Sequence, residues 1–192
     1  MKSREIDYKK FRWFFTSGNL LVIGGKSAEQ NEETIPLAEK NDIILHTKLP
    51  GSPFCIIKTQ GNKISEQDLR EAATFCACFS QQWKNYKKNI EIHIFSPGQI
   101  FKDKRAKTGT FNVIGKVKTI TVNLELYLTI QENKLRAVPE TAAKEKLILI
   151  RPGKINKEKF ANILKAKLKE KNLNFSEEEI LSAIPSGGFM EI

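Results

Sequence analysis

The segment from Ser65 to about Lys84 constrains the fold most strongly, because it is apolar on almost every side when drawn as a helix. A helix with one apolar stripe covers a surface, whereas a helix that is apolar all round must be enclosed by other elements. Ser65 is a suitable N-cap for it. The apolar positions are Leu69, Ala72, Ala73, Phe75, Cys76, Ala77, Cys78 and Phe79. This pattern predicts a buried central helix.

Short runs of branched and aromatic residues before and after this helix predict β-strands. The first two, 11–16 and 20–23, flank Ser17-Gly18-Asn19 and predict a β-hairpin. Further strands are predicted at 42–48, 54–58, 90–95, 110–115 and 119–130. Strands and helices in this order predict an α+β fold, with a mixed or antiparallel sheet packed on the buried central helix.

The last third of the chain predicts a smaller unit. The polar stretch 131–146 has the composition of a linker or connecting loop. A strand at 147–150, a turn at 151–153, a helix over 157–171 and a short helix capped by Ser176 follow it. We therefore expect a core domain at 1–130 and a small C-terminal extension of helices and strands (an α+β extension) at 131–192.

Charge is concentrated in one segment. The chain has a formal net charge of +10, and residues 101–118 hold six Lys or Arg against one Asp. A surplus of cations attracts polyanions, so nucleic acid is the first partner to consider. The predicted RNA contacts in this segment are Lys102, Lys104, Arg105, Lys107, Thr108 and Lys116. The alternative is a solvated hairpin tip that binds nothing.

A strand, then Gly24-Gly25-Lys26-Ser27, then a helix has the outline of a P-loop. However, the first glycine of that motif would have to stand where Leu20 is, which argues against an NTPase. The arrangement still predicts a site for a single phosphate at the helix start, with Lys26, Ser27, Gln30 and Asn31 as contacts. A plain helix cap by Ser27 is the alternative.

Two tryptophans each stand beside a cation: Trp13 beside Arg12, and Trp83 beside Lys84. An aromatic ring next to a cation can stack a base while the cation holds its phosphate. Core packing is the alternative role for both rings. Lys48, at the end of the predicted strand 42–48, completes the set of predicted RNA contacts.

The order of several spaced motifs resembles the NFACT-R domain of ribosome-associated quality-control proteins of the NEMF, Caliban and fibrinogen-binding-like type. The resemblance covers roughly residues 8–120. It rests on Gly24, Gly25, Lys26, Gln30, Asn31 and Glu32, on His46, on Ser80 and Trp83, and on Lys102, Lys107, Thr108, Gly109, Thr110 and Phe111.

The resemblance implies RNA binding. The N-terminal tRNA-binding domain, the helix-hairpin-helix elements and the long coiled coil of the full-length proteins do not fit into these 192 residues, so a stand-alone form of the module is expected. The expected ligand is structured RNA such as tRNA or rRNA, or the ribosome. The resemblance also allows two other roles: a component or catalyst of tRNA modification, beside a sulfuration enzyme, and a protein adaptor on the ribosome.

Catalytic chemistry is weakly indicated. Cys76 and Cys78 point to different faces of one helix, and the two histidines stand singly, so no metal ligands and no cofactor are predicted. His46 is the best single catalytic candidate, but we expect a binding module without catalytic residues. Three cysteines in apolar settings fit reduced core thiols. The absence of a leader in MKSREIDYKK and of a membrane-length apolar run predicts a cytoplasmic protein without a membrane partner.

Overall fold

The computed structural model describes residues 6–192, so residues 1–5 of the predicted leaderless N-terminus lie outside it. Twelve strands are found in the described chain. They are β1 (Arg12–Phe15), β2 (Leu21–Gly24), β3 (Ile43–Thr47), β4 (Cys55–Lys58), β5 (Ile90–Phe95), β6 (Ile100–Phe101), β7 (Asn112–Val113), β8 (Lys118–Val122), β9 (Leu126–Gln131), β10 (Lys134–Val138), β11 (Ile148–Ile150) and β12 (Pro152–Ile155).

Five α-helices accompany these strands. They are α1 (Ala28–Thr34), α2 (Glu66–Cys78), α3 (Gln81–Lys84), α4 (Lys157–Glu170) and α5 (Glu177–Ala183). The α+β fold class is thereby confirmed. No helix in residues 6–192 is long and apolar enough to cross a membrane.

Six strands form the main sheet, in the order β1-β2-β4-β3-β5-β8, and every neighbouring pair is antiparallel. Alternate residues of these strands face opposite sides of the sheet. One side packs on α2 through Phe14, Val22, Leu45, Ile57 and Ile92. The other side carries a second apolar cluster, which includes Trp13, Ile23, Ile44, Ile56 and Phe95.

The predicted central helix is buried and shorter than expected. Asp68 caps its start together with Ser65, and the same carboxylate accepts hydrogen bonds from Thr16 Oγ1 at 2.6 Å and Gly18 N at 3.1 Å. These bonds tie the turn of the β1–β2 hairpin to α2. The helix ends at Cys78, and Ser80 caps α3 by accepting a hydrogen bond from Gln82 N. A serine at this position favours a new helix start over continuation of the old helix.

Three predictions for the second half of the chain are wrong. The single strand predicted at 119–130 is two strands, β8 and β9, which belong to different sheets. The polar stretch 131–146 contains β10, because Glu132 and Asn133 both adopt positive φ and make a two-residue hairpin turn. The turn predicted at 151–153 instead begins β12, whose ends bridge to Phe189.

The C-terminal half packs directly on the main sheet's helix. Strands β10, β9 and β11 form a second antiparallel sheet; α5 lies against β10, and α4 packs on α5. One buried apolar cluster runs from Phe14 and α2 through Leu128 to Phe160 and Phe189. The division between residues 130 and 131 stays a prediction; in this structure the β9–β10 hairpin spans that position.

Candidate RNA-binding cleft

The main cleft is a cavity of about 560 Å³ at the meeting point of the β2–α1 connection, strands β3 and β5, residues 50–54, α3 and residues 108–111. Four predicted RNA contacts that carry positive charge line it: Arg12, Lys26, Lys48 and Lys84. Ser27, Asn31 and Thr108 line it as well. No Asp or Glu of the described chain is among its lining residues. A concave surface with cations and no lining carboxylate attracts a polyanion.

The floor of the main cleft is built from rings. His46 on β3 and His93 on β5 are direct cross-strand partners. The Phe54 ring lies 4.3 Å from the His46 ring between centroids, and Phe111 meets Phe54 edge-on at 5.2 Å. Phe54 is buried, but His46, His93 and Phe111 are half-buried. Unstacked RNA bases bind partly exposed rings of this kind, because every base has a π-face.

The surroundings of both histidines lower their pKa, which favours the neutral ring. Burial is the main factor that lowers the pKa of His46, the hydrogen bond with Thr47 opposes it, and His93 lowers it further. Burial also lowers the pKa of His93, with Lys48 adding to the effect. His46 Nδ1 lies 2.6 Å from the Thr47 carbonyl oxygen, which can only accept, so Nδ1 carries the proton and Nε2 is left as an acceptor. A backbone carbonyl, and not a carboxylate, orients this ring.

One wall of the main cleft is the basic loop, residues 101–118, which a single carboxylate fixes in place. Glu32 Oε1 on α1 accepts hydrogen bonds from Lys102 Nζ at 2.5 Å and Gly109 N at 2.6 Å. Lys102 Nζ also donates to the carbonyl oxygens of Lys107 and Thr110. Gly109 has φ +76° and packs so closely on Ala28 that a Cβ would lie 2.8 Å from the Ala28 Cβ.

This geometry separates the predicted contacts of the basic loop into two groups. Lys102 is paired with Glu32 and bonds two loop carbonyls, so the structure gives it an anchoring role, and its contact with RNA stays a prediction. Lys104, Arg105, Lys107 and Lys116 are exposed and form no ion pair with another described residue. They present charge beside the main cleft on a loop that is already ordered, which lowers the entropy lost on binding.

Side chains of the predicted phosphate site at the start of α1 bond to its own backbone. Gln30 Oε1 accepts from Lys26 N at 2.8 Å, and Ser27 Oγ accepts from Gln30 N at 3.2 Å. Glu29 accepts from its own N–H and from the Ser27 hydroxyl, and these bonds lower its pKa. The amides of Lys26 and Gln30 are therefore occupied and Ser27 is a helix cap, while the phosphate site itself stays a prediction. The Lys26 side chain remains exposed at the rim of the main cleft.

Asn31 and Gln30 have bracing roles in this structure. Asn31 is buried, and its Oδ1 accepts a hydrogen bond from Phe54 N at 3.1 Å, which fixes the ring wall of the cleft. Gln30 Nε2 donates to the Lys10 carbonyl oxygen at 3.2 Å. Both residues hold the cleft walls together.

The predicted stacking of bases on the two tryptophans is wrong, because neither ring has an exposed face. Trp83 is fully buried and its Nε1 donates to the Gly188 carbonyl oxygen at 2.9 Å. Trp13 is 2% exposed and packs edge-on against Tyr8. Their neighbours Lys84 and Arg12 do line the main cleft.

The three cysteines are buried free thiols, as the sequence predicts. Burial raises the pKa of Cys55 and of Cys78 well above the ordinary value of a thiol, which suppresses the reactive thiolate. Residues 6–192 hold no group of three or more His, Cys, Asp or Glu side chains that could bind a metal ion.

Sequence reasoning missed the parts of the site that depend on tertiary contacts. These are the ring floor of His93, Phe54 and Phe111, and the anchoring role of Glu32. The anchoring role of Glu32 did have a signal: the motifs of the resemblance contain this acidic residue together with the distant basic residues Lys102 and Lys107. The ring floor had no local signal, because its members are 39 and 18 positions apart along the chain.

An antiparallel sheet on a buried helix, with a cationic ring-floored cleft and an anchored basic loop, defines an α+β protein built to bind a polyanion. Residues 10–115 match the family described as "NFACT protein RNA binding domain". The archaeal Rqc2 homologue aRqcH of Methanocaldococcus jannaschii is 32% identical over 94% of this chain. The chain belongs to the NFACT-R family.

Two further relatives agree with this placement. The human ribosome quality control complex subunit NEMF is 38% identical over 40% of the chain. The C-terminal structure of the fibronectin/fibrinogen-binding protein from Streptococcus suis superposes with a TM-score of 0.53 at 25% identity, over 64% of this chain and 49% of that one. The chain spans 28% of the length of the archaeal relative and 7% of the human one.

Proposed function

We propose that this protein binds structured RNA in the main cleft, with the exposed cations of the basic loop holding the RNA backbone beside it. The observation that carries this proposal is the lining of the main cleft: four cations, of which Lys48 is paired with Glu91 at 2.8 Å, a floor of rings, and no carboxylate among the described lining residues. Cations position the phosphates of a nucleic acid, and rings accept unstacked bases. The family description, an RNA-binding domain, supports the same ligand.

The finer part of the proposal is the kind of RNA. The archaeal and human relatives are named as a homologue of Rqc2 and as a ribosome quality control complex subunit. We infer that the ligand of this chain is a tRNA or rRNA element met on or near the ribosome. A cleft flanked by an ordered loop suits a loop or bulge in a folded RNA, because bases there are free to leave the stack.

The proposal is tested by fluorescence anisotropy with a labelled tRNA, a ribosomal RNA hairpin and an unstructured single strand. The double variant Lys48→Gln/Lys84→Gln removes two cations from the main cleft. The control Lys165→Gln/Lys169→Gln removes the same charge from the exposed face of α4. We expect the cleft variant to weaken binding of the folded RNAs about tenfold and the control to weaken it less than about twofold, since each phosphate contact adds to affinity.

Equal losses in the two variants would show that binding is diffuse attraction to a cationic surface. Stronger binding of the single strand than of both folded RNAs would contradict the preference for structured RNA.

A further inference from the structure

A second cavity adjoins the main cleft and has a different character. The junction pocket, of about 190 Å³, lies where β1, α2, β10 and α5 meet. It shares Arg12, Lys26 and Phe79 with the main cleft, and Arg136 and Trp13 complete its inner wall. Residues from both halves of the chain therefore build it.

The junction pocket holds a surplus of positive charge. Five cations line it, and Glu179 is the single carboxylate among its described lining residues. Glu179 is already engaged: one oxygen accepts from Ser176 N and Oγ, and the other lies 3.8 Å from Lys134 Nζ. Within residues 6–192, no carboxylate oxygen comes within 4.0 Å of the side-chain nitrogens of Arg12, Lys26 or Arg136.

The two guanidinium groups are held by aromatic rings instead of by acids. The Arg136 Cζ lies 4.7 Å from the centroid of the Trp13 ring, and the Arg12 Cζ lies 4.8 Å from that of Phe79. Arg136 Nε donates a hydrogen bond to the Leu135 carbonyl oxygen at 2.7 Å. Stacking on a ring fixes the plane of a guanidinium and leaves its N–H edge for a ligand with oxygen acceptors.

The cations also lie close enough to repel one another. Burial and then Arg12 lower the pKa of Arg136 to about 10. The pKa of Lys26 is lowered as well, most by burial, then by Arg12 and then by Arg136. Partly desolvated like charges without a counter-charge destabilise a fold. An anion in the junction pocket would remove that cost.

We propose that the junction pocket is a phosphate-binding site in which Arg12 and Arg136 contact the phosphate oxygens and Lys26 lies at the entrance from the main cleft. The phosphate could belong to an RNA or be free inorganic phosphate. Only the first of these sources rests on the proposed function, which this assignment then deepens. The cavity is several times the roughly 30 Å³ that one water takes in the liquid, so a tetrahedral phosphate fits.

The first experiment measures phosphate alone. Thermal unfolding of the wild-type protein is compared in sodium phosphate and in sodium chloride at equal ionic strength. We expect phosphate to raise the Tm by about 2–4 °C, the shift that moderate ligand saturation gives in a chain of this size. In the Arg12→Gln/Arg136→Gln variant the shift should disappear, whereas Lys165→Gln/Lys169→Gln should keep it.

Each other outcome of this experiment contradicts the assignment. An equal shift in all three proteins would show a general salt effect, and no shift in the wild type would show that phosphate does not bind. If the double variant does not fold, phosphorus NMR decides with Arg136→Gln alone: the line broadening that the wild type causes should be lost.

The second experiment identifies the source of the phosphate. One RNA is prepared with hydroxyl ends, with a 5′-phosphate and with a 3′-phosphate, and binding is measured by anisotropy. Fivefold tighter binding of a phosphorylated end, lost in Arg136→Gln, assigns a terminal phosphate. Equal binding of all three, weakened fivefold by Arg136→Gln, assigns a phosphate within the RNA chain.

The two proposals fail separately. If no RNA binds but inorganic phosphate still stabilises the wild type through Arg136, the junction pocket binds free phosphate and the proposed function is wrong. If RNA binds and Arg136→Gln alters neither the phosphate shift nor the affinity, the proposed function stands and the junction pocket assignment is wrong.

Discussion

Glu32 shows how one acidic side chain can serve a cationic site. It is the partner of Lys102 and of Gly109 N, and these hydrogen bonds, the lysine's first, lower its pKa. Its negative charge opposes polyanion binding, yet it holds the loop that carries the exposed cations Lys104, Arg105, Lys107 and Lys116. The two effects have opposite signs, so a substitution tells which one is larger.

We predict that Glu32→Ala weakens RNA binding about fivefold although it raises the net positive charge by one. Loss of the anchor frees residues 102–110, and ordering them again on binding costs conformational entropy. The adjacent Glu33 is exposed and without an ion pair in the described chain, so Glu33→Ala is the matched control. Anisotropy titrations of both variants measure the effect. Tighter binding by Glu32→Ala would mean that loop order is unimportant.

Lys157 gives a prediction about pH. Burial, and then Arg12, lower its pKa to about 8, with Glu158 opposing. The unfolded chain therefore binds more protons than the folded one between about pH 8 and the ordinary lysine value near 10.4, so stability rises with pH across that window. Below pH 8 the full penalty of the buried charge is present.

We predict that Lys157→Gln stabilises the protein at pH 7 by about 1–3 kcal/mol, and that its advantage over the wild type shrinks as pH rises from 8 to 10.5. The upper figure assumes no screening, and solvent reaching this half-buried group reduces it. Urea unfolding at pH 7, 9 and 10 measures the difference, with the exposed Lys165→Gln as control. A constant difference across these pH values would contradict the prediction.

At the scale of elements, the C-terminal segment locks α3 to the second half of the chain. The Gly188 carbonyl oxygen accepts from Trp83 Nε1, and the buried Phe189 ring stacks on Phe160 at 4.3 Å between centroids. Gly153 N donates to Gly188 O at 3.1 Å, which brings β12 against the same segment. α3 also supplies Lys84 to the main cleft, so this lock positions one wall of the site.

We predict that Phe189→Ala destabilises the protein by about 3–5 kcal/mol, because it opens a cavity between two buried aromatic rings. Met190 is 51% exposed, so Met190→Ala should change the free energy of unfolding by less than about 0.5 kcal/mol. Denaturant unfolding followed by tryptophan fluorescence measures both variants. A loss under 1 kcal/mol for Phe189→Ala would show that the segment is not held by this packing.

Local sequence pattern was sufficient to predict those elements whose own residues contain a cap, a turn or an apolar repeat. Ser65 and the apolar residues of α2 predicted the buried helix, and Ser17-Gly18-Asn19 predicted the β1–β2 turn. It failed for β10, whose polar composition hides a strand that the turn at Glu132 and Asn133 creates. It also failed for Trp83, because its partners at 188 and 189 are remote in sequence.

At the scale of the whole molecule, charge was predictable in amount and only partly in position. The segment 101–118 does present exposed cations, but Lys102 is paired with Glu32. Arg12 and Arg136 come together only because β1 and β10 meet at α2, which no spacing in the sequence indicates. The net charge can be read from the composition, whereas the position of a cleft depends on how the strands and helices are arranged in the fold.

We predict that Lys104→Ala/Arg105→Ala/Lys107→Ala lowers the slope of log affinity against log salt by about three, because each of the three phosphate contacts releases close to one counterion. Titrations between 50 and 300 mM salt measure the slope. Lys102→Ala alone should instead act through loop order and leave the slope nearly unchanged. A slope that falls by about one for Lys102→Ala would place Lys102 on the RNA.

The three buried cysteines can be used to measure how often the core of the protein opens. Their thiols are enclosed by β4 and α2 at the centre of the core, and Cys55 and Cys78 resist ionisation there. A thiol-reactive dye can therefore label them only in molecules that have transiently exposed the core. The labelling rate in native buffer then measures how often the core opens, and its slowing by a bound polyanion would report binding without any label on the RNA.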